Sequence, residues 1–179
     1  MKYKTIVIDP PWDISNGYKM SEGTPLKDKI PYDTMSIDEI KQFPINDYSD
    51  KECDLFLWVT HSTLPKAFEI LDVWGFKYHC LITWDKEQGL TMYGFHRRTE
   101  YVIYAYRGKM GVNQIGKSFP TLIRERKTKH SAKPDSFYNL VVKLTREPRI
   151  DIFARKKHFG FDSFGNQAEN PTNLEVFCN

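Results

Sequence analysis

Asp9-Pro10-Pro11-Trp12 is the stretch of this chain best equipped for chemistry. It follows Thr5-Ile6-Val7-Ile8, an apolar run that reads as a buried strand. A carboxylate, a stiff diproline and an indole therefore meet where a strand gives way to a loop. In open α/β sheets, ligands bind at the carboxyl ends of strands. The two prolines fix their φ angles, and Pro10 biases Asp9 toward extended backbone. The diproline has no N–H to compete for nearby carbonyls, so those carbonyls are expected to face outward. Acceptors for two N–H bonds and a flat ring for stacking suit a planar amine. A Pro-Pro pair alone would be no more than a strand stop; the carboxylate and the indole give it a second use.

A second set of candidates lies late in the chain. Lys133-Pro134 precedes a predicted helix, where an ammonium and free N–H groups can hold a carboxylate. Ile150-Asp151-Ile152-Phe153 reads as a strand ending at Ala154-Arg155, and Gly165-Asn166-Gln167 follows. Asn and Gln amides can both donate and accept hydrogen bonds.

These residues resemble a known family. Asp-Pro-Pro-Trp after a strand is similar to the catalytic motif of the amino-methyltransferases that act on adenine N6, and most closely to the MT-A70 family. Pro31-Tyr32-Asp33-Thr34-Met35 and Leu55-Phe56-Leu57-Trp58-Val59 resemble that family too, as do Lys133-Pro134, the strand ending at Arg155, and Gly165-Asn166-Gln167. The likeness runs from Thr5 to Gln167, with the catalytic motif first and the cofactor motifs last, which is the permuted order of that class. It implies a Rossmann-like methyltransferase fold: a mostly parallel central sheet with helices on both faces, one domain over residues 1–179. It implies S-adenosylmethionine as methyl donor, with Asp9, Lys133, Asp151, Arg155, Asn166 and Gln167 around it. The positions matching Arg155, Asn166 and Gln167 lie about the ribose; Asp151 contacts the donor or orients Arg155. Related cytosine N4 enzymes tend to carry Ser at the Asp9 position, and protein-glutamine enzymes carry Asn-Pro-Pro-Tyr, so Asp9 with Trp12 points to adenine. The chain departs from the family in Lys156-Lys157-His158, which does not match its ribose contacts closely.

The expected chemistry follows. The adenine amine is a weak nucleophile, because its lone pair is delocalised into the ring. Asp9 is expected to accept one of its N–H bonds and the Pro10 carbonyl the other, with Pro11 stiffening the bend. Trp12, with Tyr32, is expected to stack the base. No metal is called for.

The elements that must position these groups are legible by periodicity. Ser36-Ile37-Asp38-Glu39 is a capping box that opens a helix to about Gln42. Asp54–Val59 is a buried strand. Thr63, with Pro65 in the first turn, is expected to cap a helix with apolar Ala67, Phe68, Ile70, Leu71 and Trp74 at helical spacing, ended by Gly75. Lys77–Trp84 and Glu100–Tyr106 are strands, and a helix runs from Lys133-Pro134-Asp135 to Leu144. Alternating helices and strands call for a sheet with covered faces. Asp13 to Ile30 is a long polar loop beside the motif, expected to gate substrate.

Composition narrows the partners. With 179 residues and 40% hydrophobic content, the chain can build one real core. The net charge of +3 is mild, so its distribution must carry the argument about polyanions. Arg107 to His130 concentrates cations, including Arg124, Arg126 and Lys127, beside Phe119; with Arg97 and Arg98 they are expected to contact phosphates. Cys53, Cys80 and Cys178 fit neither a metal spacing nor a disulfide framework, which points to a reduced, cytoplasmic setting. The small size favours DNA as the polymer. RNA, and a catalytically silent nucleic-acid-binding subunit, are the other readings. A monomer, a homodimer or a partner subunit supplying target recognition would each fit.

Overall fold

The computed structural model describes residues 1–13, 34–88, 94–112, 116–126 and 132–165. Its elements run β1 (Tyr3–Ile8), α1 (Ile37–Gln42), α2 (Ile45–Tyr48), β2 (Ser49–Val59), α3 (Leu64–Trp74), β3 (Lys77–Asp85), β4 (Thr99–Arg107), β5 (Leu122–Arg124), α4 (Asp135–Leu144), β6 (Arg149–Ile152) and β7 (Asp162–Phe164). The seven strands form one sheet in the order β5-β3-β4-β2-β1-β6-β7. Every pairing is parallel except those of β4, which runs antiparallel to both β2 and β3.

The period-two alternation of the central strands divides the core between two faces. Ile6, Ile8, Leu55, Leu57, Ile150 and Ile152 pack with Ile40 of α1 and with Ala67, Ile70, Leu71 and Trp74 of α3. Val7, Phe56, Trp58, Val102 and Tyr104 pack with Phe137, Tyr138 and Val141 of α4. Helices cover both faces, as the sequence predicts. Burial on both sides also explains why β1 and β2 read as continuous apolar runs.

Local rules decide the helix ends. Ser36 and Glu39 form both halves of the capping box, with N–H···O distances of 2.7 and 3.2 Å. Gly75 ends α3 at φ 73°, and its N–H donates to the Asp72 carbonyl. Thr63 differs from expectation: its side chain caps no helical N–H and instead accepts the Thr60 N–H at 2.9 Å.

Topology gathers the functional residues on one edge. β1, β2, β3 and β6 point the same way, so Asp9, Thr60, Lys86 and Phe153 follow their carboxyl ends together. β4 runs oppositely, so its first residues, Thr99 and Glu100, reach that edge beside Asp85 and Trp84. β1 sits where the strand order turns, with β2 on one side and β6 on the other. Such a switch point is where α/β sheets open a ligand crevice.

Candidate active site

Asp9 emerges from β1 with its backbone still tied to the sheet, its N–H donating to the Ile152 carbonyl at 3.3 Å. The diproline that follows is more tightly engaged than the sequence implies. The Trp12 N–H donates to the Pro10 carbonyl at 2.8 Å, which closes a three-residue turn over Pro11. The Pro11 carbonyl accepts the Met35 N–H at 2.8 Å, and the Asp13 N–H returns to the Met35 carbonyl at 3.1 Å. The expectation of two uncontested carbonyls is therefore corrected. Proline removes its own N–H, but the next residue along supplies one. The Pro10 oxygen keeps a second lone pair. Trp12 also differs from the open stacking face expected of it. It is 8% exposed, lies in the core beside Ile8 and Leu57, and its indole N–H donates to the Trp58 carbonyl at 3.0 Å. The indole anchors the bend to β2.

Around the Asp9 carboxylate the structure builds a chain of charges. Lys133 Nζ lies 3.3 Å from Asp9 Oδ1 and 3.0 Å from Glu100 Oε2. Lys86 Nζ lies 3.2 Å from Glu100 Oε1. The Lys133 ammonium also sits 4.6 Å from the centre of the Trp58 ring, within cation–π range. Burial pushes the Asp9 carboxyl above its ordinary value, although Lys133 pulls it down. Burial also opposes Glu100 ionising, but the two ammoniums outweigh it and the net shift is downward. Lys133 is held charged, because the two carboxylates outweigh its own desolvation.

Lys133 does not stand free at the start of α4, as the sequence suggests. Its ammonium turns to Asp9 and Glu100. The helix start is filled by Glu125, whose carboxylate accepts the Asp135 and Ser136 N–H groups at 3.1 and 3.0 Å. An acidic side chain fits there, because the first N–H groups of a helix have no partner within it.

The later candidates meet on the β6 side. Asp151 is 2% exposed and burial raises its carboxyl, while His158 and Tyr138 hydrogen-bond it. His158 Nδ1 lies 3.2 Å from Asp151 Oδ2, and the imidazole stacks on Tyr138 with ring centres 3.3 Å apart. Arg155 acts on Asp9 as a positive charge that favours its ionised form. Phe153, just before it, adopts φ 63°, uncommon for a residue with a side chain. The Ala154 N–H donates to the Phe164 carbonyl at 3.0 Å. A Cβ on Gly165 would stand 2.4 Å from the Ala154 oxygen, so only glycine lets the chain pass this close to Ala154-Arg155. Tyr32, Lys127, Asn166 and Gln167, with residues 14–30 of the loop after Asp13, lie outside the described residues. Among the described residues, no cluster of three His, Cys, Asp or Glu side chains is placed to hold a metal ion.

Comparison with known proteins places this arrangement. The MT-A70 family model matches residues 3–167. The chain belongs to the MT-A70 family. It is 25% identical to the Type II methyltransferase M.MunI of Mycoplasma sp, over 98% of this chain and 84% of that protein. It is 27% identical to an N(6)-adenosine-methyltransferase MT-A70-like protein of Arabidopsis thaliana, over 92% of this chain and 24% of that one. It is 28% identical to the N(6)-adenosine-methyltransferase catalytic subunit METTL3 of Homo sapiens, over 94% of this chain and 28% of that protein. The chain thus spans most of the first relative and about a quarter of the other two.

The cations of this MT-A70 chain divide. Arg97 is exposed and lines a cleft next to Glu100. Arg98 is drawn back onto Asp85, 2.5 Å from its carboxylate. Arg124 and Arg126 are exposed at the end of β5 and just beyond it. Arg107, counted from the sequence with the phosphate-contacting run, lies elsewhere. It ends β4 at the opposite edge, where it donates to Ser49 Oγ at 2.9 Å, to Asn46 and to the Trp74 carbonyl. The antiparallel sense of β4 puts its last residue there. Glu100, Lys86 and Trp58 escaped the sequence reading as site residues. They lie in or next to ordinary-looking strands, and only the register of β3 on β4 brings the two charges together.

Proposed function

We propose that this MT-A70 methyltransferase transfers the methyl group of S-adenosylmethionine to the N6 amine of adenine in DNA. The observation that carries the reading is the Asp9 carboxylate at the sheet's switch point, 3.3 Å from the Lys133 ammonium. The donor set suits the cofactor. Its amino-acid end needs an anion and a cation side by side, as Asp9 and Lys133 are. Arg155, with Asn166 and Gln167 following the close approach at Gly165, supplies polar groups for a ribose. When bound, S-adenosylmethionine brings an activated methyl on a sulfonium leaving group.

The chain's own residues do the rest. Asp9 accepts one N–H of the adenine amine and frees its lone pair for attack. The Pro10 carbonyl, held by the turn, accepts the other with its remaining lone pair. Lys133 favours the ionised form of Asp9 and holds it in place. The negative end of this charge chain supports the positive charge that develops on nitrogen. In-line positioning supplies the remaining acceleration. In a duplex the base must first leave the stack, at about a few kcal/mol, which favours unpaired adenines.

DNA is supported by the Type II relative, of which this chain spans most. RNA is the second reading, supported by the relatives named for adenosine. We place the enzyme in the cytoplasm, with its nucleic acid. No helix among the described residues is long and apolar enough to cross a membrane. METTL3 is named a catalytic subunit, so a partner for target choice belongs among the outcomes tested. Labelled donor incubated with single- and double-stranded DNA and RNA, followed by nucleoside analysis, decides the polymer. N6-methyldeoxyadenosine supports this reading, and N6-methyladenosine alone replaces DNA by RNA. Donor binding without transfer to any polymer points to a silent or partner-dependent subunit.

A further inference from the structure

Glu100 also lines a cleft of about 160 Å³ that the reaction above does not use. Its walls come from three places in the chain: the turn after β2, the end of β3, and the loop entering β4. The turn contributes the hydroxyls of Thr60 and Ser62, 3.0 Å apart, and the His61 ring. The end of β3 contributes Lys86, and the last loop contributes Arg97 and Thr99.

The chemistry of these walls is specific. Thr99 Oγ1 lies 3.0 Å from His61 Nε2, and the Tyr101 hydroxyl lies 3.3 Å from the same ring. His61 is held below its ordinary pKa by burial, and then by the positive charges of Arg97 and Lys86. Lys86 and Arg97 both line the cleft. Glu100 forms one wall, but its carboxylate is already bridged by Lys86 and Lys133. Hydroxyls that rotate, a neutral imidazole and two cations make a seat for an anion with several acceptor oxygens. Among the described lining residues there is no aromatic ring except the imidazole, so the walls do not suit a stacked base.

We propose that this cleft seats a backbone phosphate of the target nucleotide, on either side of the adenine that Asp9 takes. The assignment rests on the adenine reading above. Lys86 links the two sites, because it faces the cleft and also holds Glu100, which Lys133 joins to Asp9. A phosphate fixed here sets the register of the base without reading sequence.

The test uses the full chain and fluorescent oligonucleotides carrying one adenine. In each, one phosphate near that adenine is replaced by a neutral methylphosphonate. Arg97→Gln should weaken binding alike across sequences and lower the slope of log affinity against log salt by about one. One neutral linkage beside the adenine should weaken the wild-type chain comparably. On that linkage Arg97→Gln should add no further loss. Thr99→Val, which removes a hydroxyl and no charge, should show the same coupling at the same linkage. If the Arg97→Gln loss persists in full at every neutral linkage, or if the variant binds like wild type, the cleft does not hold phosphate. Nucleoside analysis of the wild-type reaction separates the two failures. Adenine methylation without coupling removes only the phosphate seat, whereas binding without adenine methylation removes the proposed function and this inference with it.

Discussion

Asp9 works against its own burial, and the ammonium that helps make it usable, Lys133, lies 3.3 Å away. Desolvation raises its carboxyl, while Lys133 and Arg155 favour the charged form. The reaction needs the carboxylate, so the rate should fall as pH drops through the Asp9 pKa. Because burial raises that pKa in the free protein, the acid limb of the kcat/KM profile should lie above the ordinary Asp value. Lys133→Met removes a group that lowers it, so the limb should move to higher pH. A limb that stays in place would show that Lys133 does not govern Asp9. Trp12→Phe keeps a ring but leaves the Trp58 carbonyl without its donor. It should cost about 1–3 kcal/mol in denaturant unfolding. The strand end at Asp9 and the helix start after Lys133 could be read from sequence, because breakers and strand ends are local signals. Whether Trp12 faces base or core could not, because residue type does not report which side of a bend is covered. Glu100 and Lys86 were invisible for a different reason. Their meeting depends on β3–β4 register, which no local pattern records.

At the scale of elements, the site is an edge where strand ends converge. The long strands, with α1, α3 and α4, were legible because their periodicity or caps persist over several turns or alternations. The four-residue α2 and the three-residue β5 and β7 were not. β7 reads Asp162-Ser163-Phe164, and its polar composition hides a strand that pairs on β6. That pairing matters, because it carries Gly165 against Ala154. Gly165→Ala places a methyl into backbone that cannot yield cheaply. Overpacking of this kind costs about 1–3 kcal/mol, measurable as a lower denaturation midpoint. If the chain shifts to relieve it, Gly165 moves away from Ala154 and the strand end before Arg155 is disturbed. S-adenosylmethionine binding by calorimetry should then weaken. Unchanged stability and unchanged affinity would remove this approach from the account.

At the scale of the whole molecule, a net charge of +3 says little, but its placement says more. Arg97, Arg124 and Arg126 are exposed, and Arg98 and Arg107 bond to neighbouring side chains. Charge reversal at Arg124, Arg126 and Lys127 should weaken nucleic-acid binding at low salt and flatten its salt dependence. Affinity equal to wild type would make that run a solvated face. The central claim is that Asp9 delivers adenine to a methyl donor, and one comparison tests it most directly. Wild-type chain and Asp9→Ala are given labelled S-adenosylmethionine and adenine-containing DNA, with circular dichroism confirming that both are folded. Wild type should yield labelled N6-methyldeoxyadenosine, and Asp9→Ala should lose at least about a hundredfold in rate. A folded Asp9→Ala variant that methylates at the wild-type rate would contradict the account.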